Sequence, residues 1–139
     1  MQIYLLFAGK PRDAHANAMA AEYVKRSARF APCEMREIQP ARYDPWARHP
    51  TSAKVLLDPA GKKMDSQQFA KMIGAYHELG RDVVFIVGGA EGHPAGWRER
   101  ADVVLSLSAM TYAHELARVM VAEQIYRAWT MLRGHPYSK

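Results

Sequence analysis

The chain has 139 residues, 49% of them hydrophobic, with 19 Lys and Arg against 14 Asp and Glu, and a single cysteine. That is enough for one domain with an ordinary core; the lone Cys33 excludes an intramolecular disulfide framework, and no apolar run approaches the roughly 20 residues that span a bilayer. The net charge of +5 and the pI near 9.5 suit an anionic partner such as RNA without requiring one.

Ile3 to Ala8 reads as a buried strand closed by Gly9-Lys10-Pro11. It lacks the basic flank, length and cleavage site of a secretory signal, so a cytoplasmic protein is expected. Asp13 is placed to cap a helix in which Ala18, Ala21, Val24 and Ala28 recur at helical spacing until Pro32. Lys25, Arg26, Arg29, Arg36, Arg42 and Arg48 gather in this first half with few acids between them. Glu34 to Ile38 alternates as a half-buried strand, and Pro40, Pro45 and Pro50 predict an irregular stretch. Lys54 to Leu57 is a short strand ending at the turn signal Asp58-Pro59-Ala60-Gly61. Ser66 is placed to cap a helix from Gln67 to Leu79, with Phe69, Met72, Ile73 and Tyr76 on one face and Gly80 as its stop.

Val83 to Val87 is the next strand, followed by a short helix near Ala95 to Ala101 and a strand from Val103 to Leu107. The last helix, His114 to Arg133, is expected to bury Leu116, Val119, Met120, Tyr126 and Trp129. The order β-α-β-β-α-β-α-β-α predicts an α/β fold with a largely parallel sheet.

Two loops stand at the carboxyl ends of strands, where such sheets hold ligands. Gly88-Gly89-Ala90-Glu91-Gly92 offers a backbone that a ligand can approach closely, or simply a tight strand-to-helix turn. It carries neither the G-x-G-x-x-G spacing of a dinucleotide site nor the Gly-Lys-Ser/Thr of a P-loop. Leu107 to Tyr112 places main-chain groups beside the apolar Leu107 and Met110, a mixture that suits an adenosine-like ligand. Its other reading is a helix entry capped by Ser108 or Thr111.

On the last helix, Glu123 and Arg127 form an i,i+4 pair in the favourable orientation, which by itself reads as a solvated ion pair. The tail from Arg133 to Lys139 combines cations, an imidazole and an aromatic ring, a set suited to phosphate binding and base stacking, although tails are commonly frayed ends. The six histidines, His15, His49, His77, His93, His114 and His135, show no metal-ligand spacing, so no metal is expected. Cys33 after Pro32 gives little support to a Cys-His hydrolase.

Three segments in order carry a more specific signal: Gly80-Arg81-Asp82-Val83 through Gly88-Gly89-Ala90-Glu91-Gly92, Leu105 through His114, and Arg118 through Trp129 with His135-Pro136-Tyr137. With Ile3 to Gly9 and Glu37-Ile38-Gln39-Pro40, they make nearly the whole chain resemble the ribosomal large-subunit methyltransferase H family, SPOUT-class enzymes that methylate N3 of a pseudouridine in 23S ribosomal RNA. The resemblance implies one SPOUT-type α/β domain, helices on both faces of its sheet, and a trefoil knot in its C-terminal part. It implies a pocket for S-adenosyl-L-methionine contacted by Leu57, Gly88, Leu107, Ser108, Ala109, Met110, Thr111 and Tyr112. It further implies a homodimer, with large-subunit ribosomal RNA or the assembled ribosome as partner and the RNA site completed across the interface.

His135, Tyr137, Arg118 and Arg127 are assigned to the RNA side as catalytic residues. The arginines would stabilise phosphate or imidate charge, and the imidazole of His135 would be the better base. The chain departs from the family pattern in three places. The segment from Ala41 to Pro50 is shortened, Ala113 stands where a proline precedes the histidine, and Ser138 stands where a histidine follows Pro-Tyr, so no catalytic role falls on Ser138. Two rival readings are a binding module without catalysis and a SPOUT enzyme acting at another RNA position.

Overall fold

Unbroken runs of Val, Ile, Leu and Phe are what strands require when both faces of a sheet are covered. In the computed structural model, which describes residues 1–138, such runs form β1 (Ile3–Ala8), β4 (Val83–Val87) and the first half of β3 (Ala53–Lys63), joined by the alternating edge strand β2 (Cys33–Ile38) and the short β5 (Val103–Ser106). They pair side by side in the order β2-β1-β4-β3-β5, and every pairing is parallel. All five carboxyl ends therefore lie along one edge.

The period of two along each strand sorts residues between two cores. Ile3, Leu5, Phe7, Val83, Phe85 and Val87 pack under the long helices α1 (Ala14–Ser27), α3 (Ser66–Glu78) and α5 (His114–Leu132). Leu6, Leu56, Val84 and Ile86 face the opposite side, covered by Tyr43, Trp46 of α2 (Pro45–Arg48), and Trp97 of α4 (Trp97–Arg100). Helices thus cover both faces. Trp46 and Trp97 meet edge to face at 5.5 Å, a favourable aromatic arrangement.

Several elements differ from their sequence expectation, each for a local reason. The proline-rich stretch contains α2, because Asp44 caps it and Pro45 occupies its first turn, where proline costs no hydrogen bond. The cap of α3 is Asp65 rather than Ser66: its carboxylate accepts from Gln68 N at 2.7 Å while the Gln68 side chain accepts from Asp65 N at 2.8 Å, a complete capping box. The turn after Leu57 forms, with Asp58 Oδ1 accepting from Ala60 N at 2.8 Å, yet it only bulges β3. Leu57 and Lys62 both pair with Leu105, and a Cβ on Gly61 would lie 2.5 Å from the Val104 carbonyl oxygen. In α5, Val119, Tyr126 and Trp129 are buried as expected; Leu116, by contrast, is 54% exposed and Met120 is half-buried. Among the described residues no helix is long and apolar enough to cross a membrane.

Candidate active site

A cavity of about 260 Å³ opens where β3, β4 and β5 end. Of the eight residues expected to contact a cofactor, Leu57, Gly88, Leu107, Ser108, Met110, Thr111 and Tyr112 line it, while Ala109 is exposed in the same loop. The structure brings these residues together from three strand ends.

Glycine is required in the first wall by close approach. A Cβ on Gly88 would sit 3.2 Å from the Gly92 carbonyl carbon and 3.2 Å from His93 Cε1, and one on Gly89 would sit 3.1 Å from the Ala8 carbonyl oxygen. Gly92 N–H donates to the Gly89 carbonyl at 3.0 Å, and Gly92 adopts φ +76°, closing a tight turn. His93, considered in the sequence only as a metal ligand, has another place: its Nε2 lies 2.7 Å from the Leu57 carbonyl oxygen and ties the glycine loop to β3. Its position directly after the glycine run was the available signal.

In the second wall, Ser106 Oγ donates to the Ser108 carbonyl at 2.9 Å, and Ser108 Oγ accepts from Met110 N at 3.0 Å. These bonds shape the loop itself. Neither Ser108 nor Thr111 caps α5, whose N-cap is Ala113 with no side-chain hydrogen bond. The wall is therefore apolar side chains interleaved with main-chain polar groups, together with His114 at the start of α5.

The residues assigned to RNA fall in two places. Near the end of α5, Arg127 Nε donates to both oxygens of Glu123, at 3.2 and 3.0 Å, and its guanidinium lies 5.2 Å from the centre of the Tyr137 ring. Tyr137 Oη donates to Glu123 Oε2 at 3.2 Å, and its ring meets Tyr126 edge-on at 4.6 Å. Burial first, then the Tyr23 hydroxyl and Glu123, push the Tyr137 phenol above its ordinary range, so it remains a donor at neutral pH. The hydrogen bond to Glu123 holds the Arg127 guanidinium above its usual value. His135 is exposed, and its Nδ1 accepts from Tyr137 N at 3.2 Å, so the neutral ring carries its proton outward on Nε2. Lys139, the last member of the tail set, lies outside the described residues.

Arg118 stands apart. It is 1% exposed, its guanidinium lies 4.0 Å over the Phe7 ring, and Nη2 is 3.6 Å from Glu115 Oε1. Its guanidinium nitrogens have no hydrogen-bond partner, and burial lowers its pKa, opposed by Glu115 and Glu37; an arginine nevertheless stays charged. Its place inside the fold differs from that of a surface phosphate contact. From His114 at the cavity to Arg127, α5 rises about 20 Å at 1.5 Å per residue, so one chain holds its two candidate regions well apart.

A second cavity of about 480 Å³ lies between α1, α3 and α5, with Met19, Met64 and Phe69 on one side, Glu123 on another, and Leu107 shared with the first cavity. Among the described residues no group of three or more His, Cys, Asp or Glu could hold a metal ion. Burial pushes the Cys33 thiol up to about 12, away from nucleophilic use.

Residues 1–138 match the family described as predicted SPOUT methyltransferase. The chain is 59% identical over 137 residues to the ribosomal RNA large subunit methyltransferase H of Solibacter usitatus, covering 99% of each chain. It is 37% identical over 139 residues to a protein of that name from Thermus thermophilus, covering 100% of this chain and 99% of that one. Among solved structures, a probable methylase family protein from Haemophilus influenzae matches with TM-score 0.58 at 9% identity, over 98% of this chain and 68% of that chain. The SpoU methyltransferase AviRb from Streptomyces viridochromogenes, solved with AdoMet, matches with TM-score 0.50 at 12% identity, over 91% of this chain and 59% of that chain. These two likenesses concern the fold alone.

Proposed function

The chain belongs to the ribosomal RNA large subunit methyltransferase H family of SPOUT methyltransferases, and we propose that it transfers a methyl group from S-adenosyl-L-methionine to N3 of a pseudouridine in 23S ribosomal RNA. The observation that carries this reading is the cavity at the carboxyl edge of β3, β4 and β5. Its residues fit the cofactor: Gly88 and Gly89 leave no side chain where the backbone must come close, while Leu57, Leu107 and Met110 supply apolar walls for a purine. Main-chain groups of residues 107–112 offer hydrogen bonds to the base edge. When bound, the cofactor supplies an electrophilic methyl group on a sulfonium.

The protein's work is then placement and charge control. N3 of the acceptor must lose its proton before or during attack, so groups that stabilise the resulting imidate speed the reaction. Arg127 supplies a cation, Tyr137 an aromatic ring whose hydroxyl is held by Glu123, and His135 an exposed imidazole. Because Nδ1 of His135 is occupied by Tyr137 N–H, the neutral ring presents a donor outward, which favours RNA binding over proton removal. Arg118 acts from inside the fold through Glu115.

The working unit in this reading is a cytoplasmic homodimer of single SPOUT domains with a C-terminal trefoil knot. The separation of about 20 Å along α5 supports it: a second copy can bring its tail cluster to this chain's cavity. The test is transfer of a labelled methyl group to ribosomes from a strain lacking the enzyme, with the modified nucleotide mapped. Label at N3 of one pseudouridine is expected. Label elsewhere assigns another RNA position, and cofactor binding without transfer assigns a non-catalytic module. His135→Ala is expected to weaken RNA binding selectively; a loss of turnover at saturating RNA would restore the general-base role.

A further inference from the structure

Between β1 and α1 the chain passes through Gly9, Lys10, Pro11 and Arg12, and both ends of this loop are pinned at the cavity. At its start, Gly89 of the cavity wall packs against Ala8 closely enough that a Cβ would lie 3.1 Å from the Ala8 carbonyl oxygen. At its end, Glu115 Oε1 accepts from Arg12 N at 2.7 Å and Asp13 N at 3.0 Å, and Glu115 follows His114, another wall residue. Gly9 turns the chain at φ +94°.

The loop therefore runs alongside the cavity, anchored next to the wall residues Gly89 and His114, with its two cationic side chains exposed. Among the described residues neither Lys10 nor Arg12 joins an ion pair, whereas Arg26, Arg36, Arg81, Arg98, Arg100 and Arg127 each face a carboxylate. Of the two acids that flank the loop, Asp13 Oδ1 accepts from His15 N and Ala16 N, and Glu115 is turned onto the loop backbone and Arg118. Two unneutralised cations at the rim of a site for a polyanionic substrate attract that substrate's backbone.

We propose that Lys10 and Arg12 bind backbone phosphates of the RNA strand that carries the acceptor nucleotide, on the same chain as the cavity, and that Glu115 is the positioning residue that holds their loop. This rests on the RNA-methylation reading above, so the test separates the two.

Affinity of the intact protein for 23S ribosomal RNA is measured against salt concentration, alongside S-adenosylmethionine affinity by calorimetry and methyl transfer to ribosomes. Lys10→Ala with Arg12→Ala is expected to weaken RNA binding on the order of tenfold and to flatten the log–log salt slope by about 1.4, two contacts at about 0.7 each. Cofactor affinity should be unchanged, and in turnover KM for ribosomes should rise while kcat holds. Glu115→Ala should weaken RNA binding less, and Glu115→Gln, which keeps the accepting oxygen, should restore it. An unchanged salt slope, or a loss of cofactor affinity in its place, overturns the proposal. If the wild-type protein binds RNA but transfers no methyl group, the catalytic reading fails while the salt slope still decides this one.

Discussion

The cavity at the strand ends and the cluster at the end of α5 are built from different materials. The first is defined by what is missing: Gly88 and Gly89 have no Cβ where one would meet backbone within 3.2 Å. The second is defined by side chains, with Glu123 holding Arg127 and Tyr137 at once. A backbone site is broken by adding atoms and a side-chain site by removing them. The first arrives pre-organised with the sheet, whereas the second depends on a tail that folds back onto α5 through His135 N–H donating to the Thr130 carbonyl at 2.8 Å.

Substitutions can set the two regions against each other. The largest expected effect is on the frame beneath the cavity: Gly61→Val must displace β3 from Val104, at about 3 kcal/mol, seen as a melting temperature lowered by roughly 10 °C. Gly88→Val, whose Cβ would press on Gly92 and His93, should lower melting less than Gly61→Val does while weakening S-adenosylmethionine binding on the order of a hundredfold by calorimetry, about 2.7 kcal/mol. Tyr137→Ala should do the reverse of Gly88→Val, keeping cofactor affinity and lowering methyl transfer roughly tenfold, whereas Tyr137→Phe retains the Tyr126 contact and loses less. If both variants lost cofactor binding equally, the two regions would be one site. Asp65→Ala removes the capping box of α3 and should cost about 1 kcal/mol by thermal melting with little change in cofactor affinity.

The smallest effect is a pH baseline shared by both regions. Burial, then Lys54, Arg36 and Arg48, hold His49 below its ordinary value, so the unfolded chain binds the proton more readily. Stability from this group is complete above pH about 6.5 and declines as pH falls below it. Melting temperatures between pH 7 and 5 should slope less in His49→Gln.

Whatever depends on runs and local spacing is legible without the fold. Val83–Val87 matches to the residue, as do the positions of both loops. The continuation of β3 beyond Asp58 is not legible, because a genuine turn signal is overridden by pairing of Lys62 and Lys63 with Leu105 and Ser106 of β5, far along the chain. Arg118 reads as a surface cation because its helix spacing says nothing of Phe7, which β1 brings beneath it. His93 shows in the sequence only its place after the glycine run; its partner does not show, because that partner is the Leu57 carbonyl, and carbonyls leave no mark in a sequence. The family resemblance reaches further than spacing does, since it groups residues from three strand ends that only the sheet brings together.

The strand order has a consequence for the chain as it is being made. β1 sits between β2 and β4, with Ile3 opposite both Cys33 and Val83. One edge of β1 can be covered soon after it leaves the ribosome, but the other must wait for β4. At synthesis rates of about 5–20 residues per second, that wait lasts roughly 4 to 16 s. During it an apolar strand edge stays open to solvent and to other nascent chains. Closure of that edge is therefore set by the arrival of β4, which also carries the glycine wall of the cavity at its end.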